Sequence, residues 1–380
     1  MCKYLFKTCF LLLALMAGGT SSMAQRTWYN PMDGDSPYIC GRAWNDETGK
    51  TYRRVPDRFQ SSLPQGVWWL SGQSAGLSVR FKTDATDIQI RYSVTTKKFP
   101  EYPNMAPLDH SGIDLYAQDV HGREHWVGNH MKWQIKDTIQ INFPDISVPK
   151  NIEGGRCSYE IYLSPYNTID FLSIGVPDGA YFSFERESTE KPVVIYGSSI
   201  VQGASPSRPG LMWTNIVKRE MGVPLVNMGF SGSARLEPEV FDMLSEIDAS
   251  VFVLDPIPNS FNMKEKVQPM TVEGVKKLRA KSGAPILLVE NYAAPDSIFR
   301  HANYENYVVG NMYYRKAFEQ LKAEGVKNIY YLTAKEIGFT EDSMIEGTHP
   351  NDIGNMQYAN AVEKKLRKIL HLKKPKYKKK

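Results

Sequence analysis

The sequence predicts a two-part molecule, an all-β sandwich or jelly roll followed by an α/β half built on a parallel sheet. Between residues 25 and 187, short runs alternate apolar with polar residues, the period of strands with one wet face. From 191 to 372 continuous apolar runs alternate with helical stripes, as in a sheet covered on both faces. At 380 residues the chain is also too long for one ordinary core.

Taken in order, residues 1–24 read as a secretory signal peptide. Lys3 and Lys7 precede the apolar run 11–17, and Ser22-Met-Ala24 supplies the small residues for cleavage after Ala24. The run is too short to cross a bilayer, so the expectation is an exported protein without a transmembrane segment. Cys2 and Cys9 would leave with the signal. Cys40 and Cys157 remain, either as a pair or as two separate buried thiols.

The formal charge of +5 is a terminal effect. Setting aside six lysines in 373–380 and two in the signal leaves 38 basic residues against 41 acidic ones, so the body is mildly acidic. The lysine tail reads as solvated and disordered. No basic patch with interleaved aromatics points to nucleic acid.

In the front half, residues 77–83, 88–94, 138–143 and 159–163 have period two, and no helical stripe of useful length interrupts them. Trp28, Trp44, Trp68, Trp69, Trp126 and Trp133 fall here, serving either as sandwich core or as platforms for sugar rings. His121, His125 and His130 fit neither one helix face nor a zinc spacing, so they read as polar hairpin positions and no metal is expected. Gly112-Ile-Asp-Leu-Tyr116 reads as a strand start whose Asp114 can bind a backbone amide.

The polar stretch 185–192 is the expected join. Beyond it, strands at 193–196, 225–228, 251–254, 286–289 and 329–332 alternate with helical stripes at 211–221, 238–247, 272–280, 308–324 and 353–370. In such sheets the ligand crevice lies beyond the carboxyl ends of the strands. Ser199 falls just after the first strand, either as an exposed nucleophile or as part of a capped turn. After the second strand, Gly232 offers an amide to an oxyanion or makes a plain turn; after the third, Asn259 offers a side-chain amide or is a turn residue. In Glu346-Gly-Thr-His-Pro350 an acid three residues before a histidine can curl back onto Nδ1 and leave Nε2 of His349 free for a serine proton. His301 and His371 lack such surroundings and read as surface residues.

Gly197-Ser-Ser-Ile200, Gly232, Asn259 and the Glu346–His349 motif resemble, in order, blocks I, II, III and V of the SGNH (GDSL-like) hydrolases. With Gly112-Ile-Asp-Leu-Tyr116 in front, the chain resembles the two-domain GxDLY/GxSI exported acylhydrolases. The resemblance implies a flavodoxin-like three-layer α/β/α domain over 191–372 behind a β-sandwich domain over 25–187. It implies Ser199 as nucleophile, His349 as base, and an oxyanion hole of the Ser199 and Gly232 amides with the Asn259 side chain. Two features depart from the pattern. Glu346 stands where aspartate is usual, with Asp342 a second candidate acid, and Asn259 closes Asp-Pro-Ile-Pro-Asn rather than Gly-x-Asn-Asp. Val201 replaces the second glycine of a Gly-x-Ser-x-Gly elbow, which argues against an α/β-hydrolase fold.

The function expected is an exported serine esterase that removes small acyl groups, acetyl foremost, from a small-molecule or polysaccharide ester, with no cofactor. The alternatives are a lipid or thioester acylhydrolase and a catalytically weakened carbohydrate-binding protein.

Overall fold

The structure, a computed structural model, describes residues 25–97, 102–129, 136–149, 152–292 and 299–373. The expected signal peptide, His130, Trp133 and the lysines beyond 373 lie outside the described residues.

The front half contains β1 (Arg26–Tyr29), β2 (Ser78–Thr83), β3 (Ile88–Val94), β4 (Asp114–Gln118), β5 (Glu124–Gly128), β6 (Ile139–Phe143), β7 (Cys157–Tyr162), β8 (Ile169–Pro177) and β9 (Phe182–Glu185). They form two antiparallel sheets, ordered β1-β8-β3-β6 and β5-β4-β7-β2-β9. Inward-facing Val79, Phe81, Ile88, Ile90, Ile141 and Ile161 meet in one shared core, so the period-two reading of these runs is the sandwich packing itself. Cys40 and Cys157 are both buried free thiols.

One part of this half departs from the expectation. Residues 45–71 carry short helices, among them Gln65–Ser71, instead of strands. Trp44, Val55, Phe59, Leu63, Val67 and Leu70 pack beside Val194, Tyr196, Met228 and Phe230, in the core of the second half. Each helix is too short to show a helical period.

The second half contains β10 (Val193–Gly197), β11 (Leu225–Gly229), β12 (Val251–Asp255), β13 (Ile286–Val289) and β14 (Ile329–Leu332). All pairs are parallel, and the sheet order is β11-β10-β12-β13-β14, the flavodoxin-like arrangement. Along β10, Val193 and Ile195 face a layer containing helices Trp213–Met221 and Asp352–Ile369. Val194 and Tyr196 face the opposite layer, with Pro238–Leu244, Val267–Lys281 and His301–Ala323. Burial on both faces explains why these strands read as unbroken apolar runs.

The halves are locked together by polar contacts. Asp114 is fully buried, accepting from the Gly210 amide at 2.6 Å, Arg208 at 3.0 Å and Trp126 at 3.1 Å. Its sequence expectation, a backbone amide, is met by an amide of the other half. Arg54 is buried, with no carboxylate partner among the described residues. It donates to the carbonyls of Leu70, Gln73, Asn227 and Gly229 at 2.7–3.1 Å, fixing the end of β11, and burial lowers its pKa to about 9.

Candidate active site

Three strand ends define the site. Gly197 is in register with Gly229 on one side and Asp255 on the other, so the loops after β10, β11 and β12 leave the sheet side by side. This is the point where the strand order reverses direction, the usual ligand crevice of such sheets. Gly229 is required there: a Cβ would stand 2.1 Å from the Gln202 nitrogen.

The two serines after Gly197 have different partners. Ser198 is the helix N-cap, its hydroxyl accepting from the Ile200 amide at 3.3 Å. Ser199 is freed from capping and places its Oγ 2.8 Å from His349 Nε2. It is 7% exposed at the carboxyl edge of the sheet.

His349 arrives from a tight loop. Gly347 has φ +91°, a left-handed conformation that folds Glu346 back toward the ring, and Ile345 N donates to His349 O at 2.9 Å. His349 Nδ1 is hydrogen-bonded to Glu346 Oε1, and Glu346 Oε2 accepts from the Thr348 amide at 2.7 Å. Partial burial pushes the Glu346 pKa up. The His349 hydrogen bond and charge, the Thr348 amide and Asn104 outweigh it, bringing the value down to about 2. The carboxylate is therefore an anion throughout the neutral range. Asp342, the second candidate acid, is exposed and makes no contact with His349.

On the other flank, Phe230 N donates to Gly197 O at 2.8 Å and Asn259 Nδ2 donates to Phe230 O at 3.2 Å, tying the second and third loops to the first. The Gly232 amide has no acceptor among the described residues, and the Gln202 side chain receives the Ser231 amide at 2.9 Å. Behind the site, Asp255 accepts from Tyr358 at 2.7 Å; burial raises its pKa well above the ordinary carboxylate range.

The structure thus brings Ser199, His349 and Glu346 into one hydrogen-bonded line, with Gly232 and Asn259 on the adjoining loops. Two contributors from the front half were missed. Asn104 Nδ2 lies 3.2 Å from Glu346 Oε1 and 3.1 Å from His349 Nδ1, and the Tyr166 hydroxyl donates to Ser199 O at 3.2 Å. No local pattern marks either, because each acts through a contact across the fold. His125, read as a polar hairpin residue, sits 2.9 Å from Asp119 in the β4–β5 turn.

The family model described as GDSL-like Lipase/Acylhydrolase matches residues 190–367, and the one described as the N-terminus of Esterase_SGNH_hydro-type matches residues 26–182. Among solved structures, a GDSL-like lipase from Bacteroides ovatus is 29% identical with a TM-score of 0.80, the alignment covering 92% of this chain and 99% of that one. A salicylyl-acyltransferase of a tetracycline biosynthetic pathway shares the fold at 18% identity and a TM-score of 0.67, covering 90% and 97%. A family two carbohydrate esterase from Cellvibrio japonicus does so at 10% identity and 0.58, covering 92% and 99%. No curated protein is significantly similar. Two matched segments in series, on a fold shared end to end, identify the chain as a member of the GDSL-like (SGNH) lipase/acylhydrolase family of carboxylic-ester hydrolases, with the GxDLY unit at its front.

Proposed function

We propose that this protein is an exported serine esterase that removes small acyl groups, acetyl foremost, from carbohydrate, using Ser199, His349 and Glu346. The observation that carries the reading is the 2.8 Å contact between Ser199 Oγ and His349 Nε2, with Glu346 on the opposite ring nitrogen. His349 Nε2 takes the hydroxyl proton as Oγ bonds to the acyl carbon, and the carbonyl electron pair moves onto its oxygen. The Ser199 and Gly232 amides and the Asn259 side chain serve that oxyanion. Collapse restores the carbonyl and breaks the bond to the alcohol, which leaves with the proton from Nε2. A water deprotonated by the same nitrogen then releases the acid from the acyl-enzyme.

Carbohydrate is favoured by the fold shared with the Cellvibrio esterase and by exposed aromatic rings. Trp69, 64% exposed, lies one helical turn beyond Gly66, and a Cβ on Gly66 would stand 2.5 Å from Ser233 Oγ in the second loop. Export rests on the lysines and apolar run of residues 1–24; no helix among the described residues is long and apolar enough to cross a membrane. The domain assignment, 25–187 and 191–372, belongs to the same proposal.

The test is a series of p-nitrophenyl esters on wild type and Ser199→Ala. The expected result is a steep fall in kcat/KM beyond propionyl and a loss of at least about 10⁴-fold in kcat for the variant. Equal rates on octanoyl esters would instead favour a lipid acylhydrolase, and an unaffected variant would remove Ser199 from the chemistry.

A further inference from the structure

We propose that Asn104, supplied by the β-rich half, is a positioning residue: its side-chain amide clamps the Glu346 carboxylate in the orientation that holds the His349 ring toward Ser199. This rests on the reading of those three residues given above.

Proton bookkeeping assigns the amide. If Nε2 accepts the Ser199 proton, Nδ1 must carry the ring's hydrogen and donate it to Glu346 Oε1. The Asn104 amide, 3.1 Å from Nδ1, then finds no acceptor on the ring and gives its proton to Oε1 at 3.2 Å. The flipped amide would turn its oxygen toward the Nδ1 hydrogen but also against the charged Oε1, whose hydrogen bond from the ring is the shorter one, so the orientation that gives the carboxylate a donor is the one assigned.

A glutamate has one more rotatable bond than the aspartate usual at this position, and the Glu346 side chain is partly exposed. Within its own loop it receives His349 Nδ1 and the Thr348 amide, the latter at 2.7 Å. Among the described residues, Asn104 is the donor that reaches it from outside the loop. That donor is itself held. Met105 N bonds Tyr102 O at 3.1 Å, and the Met105 side chain is buried against Tyr166 and Ala204. Tyr166 in turn donates to Ser199 O at 3.2 Å. The segment is therefore referenced to the nucleophile at one end and to the acid at the other. A clamp of this kind offsets the longer arm of Glu346 and makes the acid–base pair a joint product of both halves.

The test uses the full protein with p-nitrophenyl acetate, comparing wild type, Asn104→Ala, Asn104→Asp and Ser199→Ala. Asn104→Ala should lose about tenfold in kcat with KM within about twofold, since only orientation is lost. Asn104→Asp sets a second carboxylate beside the imidazole, favouring its charged form, and should move the acidic limb of kcat/KM upward by about one pH unit. Tyr292, whose hydroxyl contacts Thr348 O, Tyr166 on Ser199 O and Asp255 are buried titratable groups around the site; burial holds all three toward their neutral forms, so the limb reads the introduced charge. The inference is overturned if Asn104→Ala stays within twofold of wild type and Asn104→Asp leaves the limb in place while Ser199→Ala is inactive. Retained activity in Ser199→Ala is a different result, which removes the site reading and the clamp together.

Discussion

Ser199 follows a strand that is buried along its whole length and paired on both sides, whereas His349 sits in a loop at the molecular rim with its acid partly exposed. The first is positioned by sheet geometry: once β10 lies between β11 and β12, the turn at Gly197 can leave in only one direction. The second is positioned by individual hydrogen bonds, from Thr348 within the loop and from Asn104 across the fold. On the roles proposed above, a nucleophile set by the sheet tolerates the loss of single contacts. A base set by a few contacts does not, so substitutions on the two sides should differ in kind.

Removal of Ser199 itself aside, the largest effect should come from the rim. Glu346→Gln keeps the shape but removes the charge and lets the amide present either a donor or an acceptor to Nδ1, so the wrong tautomer becomes accessible. A fall of about 10⁴-fold in kcat at neutral pH is expected, with KM little changed, as for a triad acid replaced by its amide. The same carboxylate links the site to stability. Its folded-state pKa of about 2 lies below the ordinary value, so its contribution is present above about pH 4.5 and is lost as the pH falls toward 2. Wild type should lose melting temperature over that window, and Glu346→Gln should lose less. Equal acid sensitivity would mean that the His349–Glu346 pair forms only weakly in solution.

How much was legible follows the same division. The places of Ser199, Gly232 and Asn259 after three neighbouring strand ends could be read because a strand, a glycine or a proline fixes each one locally. His349 could be read because its acid lies three residues away, and Gly347 and Pro350 make the loop tight. The helical turns of 45–71 and their burial under the parallel sheet could not, since no segment there is long enough to show a period. Asn104 was hidden for a different reason: a polar residue in a loop of one half has no local property that marks a partner 242 residues away. Asp114 falls between these cases, with the need for an amide readable but not which amide.

A smaller loss is expected on the sheet side of the oxyanion. Asn259 is held by the β12 loop through its backbone, Asn259 N to Pro256 O at 3.0 Å, so truncating the side chain keeps that turn and removes only the tie to Phe230 O. Asn259→Ala should lower kcat by about 10²-fold, with two backbone amides still serving the oxyanion. The loss should be similar for acetyl and propionyl esters, because the oxyanion is common to both. A loss confined to KM would assign Asn259 to substrate binding and leave the sheet edge with the amides alone.

The smallest effect should fall on the residue beside the nucleophile. Ser198 is completely buried, and its hydroxyl accepts from the Ile200 amide, opening the short helix that carries Ser199. Ser198→Ala removes a cap of about 1 kcal/mol, lowering the melting temperature by about 2–4 °C. Because β10 and its two neighbours hold the turn, kcat should stay within about threefold of wild type. If Ser198→Ala instead lost activity on the scale of Ser199→Ala at unchanged melting temperature, the cap would be positioning the nucleophile. The nucleophile would then depend, as the base does, on a single hydrogen bond.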